Sequence, residues 1–197
     1  MESKGTDGGF EGLETSRSGK EVRVANKRRI GTSESLVRIL AFALTLSAAV
    51  ILGVDKQTKI LPVKVLDTLP PLNVPVSAKW HYLSAFKYFV VANAVACSYA
   101  AFSLVLSLAN RDGKSISGLL IVIIDAVIMG LLFSANGAAA AIGLLGFEGN
   151  SHVQWKKVCN TFDKFCDQAA AALVVSLLGA IAFLLLIVLA AKRLHNK

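Results

Sequence analysis

This 197-residue chain has little charge: 17% of it is Asp, Glu, Lys or Arg, and long stretches hold almost none. With a hydrophobic fraction of 54%, that exceeds what a soluble domain carries and points to a polytopic membrane protein. The three histidines, His81, His152 and His195, are scattered, with no spacing that argues catalysis. Cysteine is scarce too, and without a Cys-x-x-Cys pair a thiol oxidoreductase is excluded. A zinc site built on Cys159, Cys166 and His152 lacks a fourth ligand, so no metal and no cofactor is expected. There is no Asn-x-Ser/Thr sequon, hence no predicted N-glycan, and no internal repeat. The formal charge of +8 comes without a basic face interleaved with aromatics, so nucleic acid is not the expected partner. Lipid headgroups beside juxtamembrane lysines and arginines account for the excess better.

What the chain does have is four apolar segments, at 36–54, 88–109, 118–141 and 168–191, each long enough to cross a hydrocarbon core of about 30 Å. The strict alternation of a membrane β-strand is missing, so the expected fold is an all-α four-transmembrane-helix bundle. The first segment has too long a core, and a basic residue inside it, for a cleaved signal peptide. Residues 1–34 are glycine-, serine- and charge-rich and read as a disordered basic tail, with Glu2 arguing against myristoylation. Residues 35–192 form the membrane domain and 193–197 a short tail. Four spans put both termini on one side. That side carries twelve Lys and Arg against eight in the two longer loops, so both termini are expected in the cytosol. Pro62, Pro70, Pro71 and Pro75 disfavour regular structure in the first outer loop.

Asp125 lies in the third segment, about seven residues and roughly 10 Å past its cytosolic start. An isolated carboxylate there is costly and must be protonated or paired. Arg38, one or two turns into the first segment from the same side, is the expected partner, giving an interhelical clamp. The alternatives are an arginine that snorkels to the headgroups, or an acid used for transport, though no relay of further acids is present. Gly130, Ser134, Ala138 and Ala141 on the third helix, with Ala172, Ser176 and Ala180 on the fourth, recur at helical spacing. They are read as bundle packing, with self-association as the sharper alternative. Cys159 and Cys166 share the second outer loop, where an oxidising compartment favours a disulfide. Their separation fits either a stapled loop or two helical turns that could not close. Trp155, Phe162 and Phe165 surround them as an interfacial anchor or a partner surface, and Cys97 is a small buried apolar residue.

The combination of "LVRILAFALTLSAAVILG", "FKYFVVANAVACSY", "DAVIMGLLFSANGAAAAIG" and the Gly-Asn, Trp and Cys pattern of the second outer loop resembles the Casparian strip membrane protein family of land plants. Its wider fold is similar to the MARVEL tetraspans. The resemblance covers about residues 33–192 and maps the family's hallmark arginine and aspartate to Arg38 and Asp125, and its loop cysteines to Cys159 and Cys166. It implies a non-enzymatic, multi-pass plasma-membrane scaffold that forms homodimers or higher homo-oligomers, and hetero-oligomers with related members. Such a scaffold recruits cell-wall-modifying machinery; the runner-up reading is a small transporter or channel component using Asp125. Barrier-forming members carry an acidic Asp-Leu-Pro stretch ahead of the second span. Here that stretch reads "SAKWHYLSAFKYF", which implies a family member acting away from the strip.

Overall fold

The computed structural model describes residues 8–63, 72–109, 115–153, 155 and 157–195. Residues 1–7, 64–71 with Pro70 and Pro71, and 110–114 between the second and third spans lie outside these. In chain order the elements are α1 (Gly8–Gly53), β1 (Lys56–Val63), β2 (Leu72–Lys79), α2 (Ser84–Ala109), α3 (Ser115–Glu148) and α4 (Asp163–His195). Each long helix contains an apolar stretch without a break: Gly31–Gly53, Ser84–Leu106, Leu119–Glu148 and Asp163–Arg193. At 1.5 Å per residue the shortest of these is about 35 Å long, enough to cross a hydrocarbon core.

The helices form a closed ring in which α1 packs on α2 and α4, and α3 on α2 and α4. Their directions alternate. Arg38 near the start of the α1 span meets Ser103 near the end of α2 and Asp125 near the start of α3. At the opposite end Phe86 of α2 packs against Phe165 of α4 with tilted rings, centroids 5.9 Å apart. From residue 31 onward the buried positions of α1 are Glu34, Arg38, Ala41, Thr45, Ala48 and Leu52, an alternating four- and three-residue spacing that keeps one stripe inward. Large side chains such as Leu36, Ile39, Leu40, Val127 and Val174 point outward, while alanines fill the centre. In water this distribution would be upside down. In lipid, where the outside is as apolar as leucine, helices associate by close contact of small residues. Gly179 shows how close: a Cβ added there would lie 3.1 Å from Thr45 Cγ2 on α1.

Two expectations change. The helix runs back to Gly8, through most of the segment read as a disordered tail. Once the apolar span is helical no new nucleus is needed, and 8–34 contains no proline to stop propagation upstream. The proline-rich first loop also forms regular structure, an antiparallel hairpin with Lys56 opposite Lys79 and Ile60 opposite Pro75. A two-stranded sheet consists only of edges, the part of a sheet where proline is tolerated, and Pro62 and Pro75 stand opposite Asn73 and Ile60 in it.

Candidate functional site

The most heavily built feature of the molecule is a charge network near the end of the bundle where α1 and α3 enter their spans. Its centre is Arg38, 1% exposed, facing the fully buried Asp125. The guanidinium engages the carboxylate with both ends, Nη1 to Oδ1 at 3.3 Å and Nη2 to Oδ2 at 3.1 Å. The planar fork of arginine suits this two-pronged geometry, which lysine could not reproduce. Nη1 also donates to Ser103 Oγ (2.9 Å), and Nη2 lies 3.5 Å from Glu34 Oε1 one turn earlier on α1. Tyr99 donates its hydroxyl to Asp125 Oδ1 (2.8 Å) and stacks its ring on Phe183 of α4. From the end of α4, Arg193 Nη1 donates to Glu34 Oε2 (3.2 Å). Two cations and two carboxylates thus balance, and every helix contributes a member. Arg38 Nε alone of these buried groups lacks a partner among the described residues.

Asp125 and Arg38 were legible as a pair; Glu34, Tyr99, Ser103 and Arg193 were not. The i,i+4 spacing of Glu34 and Arg38 was a usable signal, as was that of Tyr99 and Ser103 on one face of α2. Arg193 had none, because its role depends on how α4 ends beside α1. The arginine does not snorkel; its head turns into the bundle.

At the other end, Cys159 and Cys166 form a disulfide with Cα atoms 5.7 Å apart. Cys166 stands in the first turns of α4 and Cys159 in the loop before it, so only half of the pair is helical and the bond can close. Backbone N–H groups of Val158 and Cys159 both donate to Gly146 O at the end of α3. Phe162 and Phe165 do not form a surface. They are buried with Phe86 and Phe89 in the aromatic plug that closes this end, since the disulfide turns the loop back over the bundle. Trp155 is 43% exposed and pairs through its backbone with Asn150. This turn depends on Gly149, whose φ of 72° leaves a Cβ only 2.8 Å from Trp155 O. Gly149→Ala is expected to cost roughly 1–3 kcal/mol through left-handed strain and that contact. Gly143→Ala, inside α3 with nothing within 4 Å of its Cβ, should instead raise the thermal midpoint in detergent slightly, by roughly 0.4–1 kcal/mol of stability.

The small residues of α3 divide by face. Ala135 and Ala139 are buried, whereas Gly130, Ser134 and Ala141 are exposed and Ala138 is half-buried. The reading of Gly130 and Ala141 as bundle packing is therefore corrected: the inward positions of α3 fall on Asp125, Ile128, Leu132 and Ala135, and the glycine stripe lies on the other side. Ser134 is exposed as well, yet its Oγ accepts the Tyr88 hydroxyl of α2 (3.3 Å) and so keeps a contact within the bundle. On α4 the inward alanines and Ser176 do pack in the core, and Ser176 accepts from Asn136 Nδ2 (2.9 Å). Cys97 is buried and free. Among the described residues no group of three or more His, Cys, Asp or Glu could hold a metal ion.

Four apolar helices with small interiors, lipid-sized exteriors and buried charges joined across them define a multi-pass membrane protein. The Casparian strip membrane protein domain matches residues 27–182. A CASP-like protein 1E2 of Glycine max is 56% identical over 190 residues, covering 95% of this chain and 100% of that protein. A CASP-like protein 1E2 of Vitis vinifera is 55% identical over 197 residues, 100% of this chain and 98% of its own. A CASP-like protein 1E1 of Arabidopsis thaliana is 49% identical over 172 residues, 85% and 90%. The chain belongs to the Casparian strip membrane protein family. No solved structure matches it.

Proposed function

We propose that this protein is a non-enzymatic scaffold of the plasma membrane, with both termini cytosolic, that self-associates and assembles with related family members to organise a membrane domain. Recruitment of wall-modifying machinery to that domain is the further part of the reading. The observation that carries it is the outward stripe Gly130, Gly137 and Ala141, on which a Cβ added at either glycine meets nothing within 4 Å. Such a face lets a second helix approach closely in lipid. The network supports a structural role over a transporting one, because Asp125 is already engaged by Arg38 and Tyr99. The excess of Lys and Arg on the side of the termini supports the orientation.

The test is a Gly130→Leu, Gly137→Leu double variant. Both leucines have room within the monomer, so the fold and surface delivery should persist while self-association in lipid nanodiscs falls at least tenfold. A fluorescent fusion of the variant should then recover quickly after photobleaching in the plant plasma membrane, whereas the natural chain should recover slowly from a fixed patch. Equal oligomerisation of the two would remove this face from the proposal.

A further inference from the structure

The inward stripe of α1 does not stop at the helix end. Three residues after the buried Leu52 it reaches Asp55, which joins α1 to β1 and is 1% exposed. Its backbone N–H donates to Leu52 O (3.1 Å), yet among the described residues neither carboxyl oxygen has a hydrogen-bond partner. Such a group demands an explanation, since an ionised carboxylate in that position forfeits its hydration and gains nothing in exchange. Among the described residues no surrounding charge supplies the missing partner. Lys56 and Lys79 oppose each other across the hairpin, and Lys79 Nζ lies over the Tyr82 ring at 5.6 Å. Lys59 is bound to Asp163 Oδ1 at 2.9 Å. His81 follows β2, Lys87 lies on α2, and Lys164 and Asp167 lie on α4; none of these forms an ion pair with Asp55 among the described residues.

The hairpin that Asp55 introduces is attached to the bundle by few polar contacts. Gln57 Oε1 accepts the N–H of Phe165 (3.0 Å), a first-turn donor of α4 that has no partner within its own helix. Gln57 Nε2 and Lys59 Nζ both reach Asp163 Oδ1, at 3.1 and 2.9 Å. Ala78 and Trp80 rest on the aromatic plug beneath.

We propose that Asp55 is a proton-binding site at the hinge of the hairpin: with its carboxyl neutral the hairpin lies docked on the bundle, and on ionisation the carboxylate turns out to water and carries β1 off the end of α4. Burial pushes the carboxyl up from its ordinary 3.8 to about 6. The docked state therefore holds the proton more tightly than the undocked one. Docking is strongest below pH 3.8, weakens as pH rises between 3.8 and about 6, and stays weak above that. Release would uncover the Phe86–Phe165 plug, so the device sets how much apolar surface this end presents. It works in the same way whichever side of the membrane the hairpin faces, and so stands or falls separately from the scaffold reading.

Hydrogen exchange of the full chain in nanodiscs tests it, with rates corrected for intrinsic pH dependence. Between about pH 5 and about pH 7.5 the Phe165 amide and the hairpin ladder should lose about tenfold in protection. Asp55→Asn, which stays neutral, should show the same protection at both pH values. Gln57→Ala should lower Phe165 protection at both while the ladder keeps the natural slope. Unchanged protection in the natural chain overturns the proposal whatever the variants do, as does a natural slope in a folded Asp55→Asn variant.

Discussion

Arg38→Met is expected to destabilise the bundle by about 3–5 kcal/mol, the largest effect of any single substitution in the spans. The loss does not measure the strength of an attraction. Removing the guanidinium leaves Asp125 fully buried with only the Tyr99 hydroxyl facing it, and strips Ser103 and Glu34 of their shared donor. An uncompensated carboxylate at that depth must take up a proton or draw in water. Removing both charges reverses the logic. Arg38→Met with Asp125→Leu should be less destabilised than Arg38→Met alone, because a buried ion pair replaced by apolar groups of similar volume is often close to neutral. Tyr99→Phe, which deletes one hydrogen bond to a charged group, should cost about 1.5–3 kcal/mol. Denaturant titration in mild detergent gives the ordering. If Arg38→Met proves no worse than Leu36→Met on the lipid face, the clamp has no energetic content.

The second large effect concerns the loop staple. Reducing Cys159–Cys166, or replacing both by serine, should cost about 2–3 kcal/mol from the closure entropy of so short a loop. The consequence is local first: Phe162 and Phe165 flank the bond, so its loss loosens the plug beneath the hairpin. The thermal midpoint of the natural chain should fall on adding reductant, and that of the double serine variant should not respond. Thiol counting gives an independent check. Under denaturing, non-reducing conditions only Cys97 should be alkylated, and after reduction all three cysteines should be. Three modified thiols without reductant would remove the staple.

Both effects fall on residues that one-dimensional reading could find. An acid and an arginine each stand alone in an apolar run, and charges in lipid are too costly to be left unpaired. The two loop cysteines lie too close in sequence to ignore. Glu34, Tyr99 and Ser103 were readable only in part: their i,i+4 spacings mark a face without showing that it turns inward.

The sequence by itself determined four spans and their alternating directions, and it singled out Arg38 and Asp125 as the charges that needed partners; that they pair with each other was decided by the structure. Length, hydropathy and isolated charge are one-dimensional quantities, and the bilayer converts them directly into topology. Only the tertiary structure decided which face each helix turns inward. In a soluble protein hydrophobic periodicity answers that question, but here both the lipid and the interior are apolar and the period carries little contrast. That is why Gly130 and Ala141 changed sides, why Phe162 and Phe165 moved from a supposed surface into the plug, and why Asp55 was invisible. Its burial follows from the stripe of α1 continuing past the helix into a hairpin whose prolines had argued against regular structure.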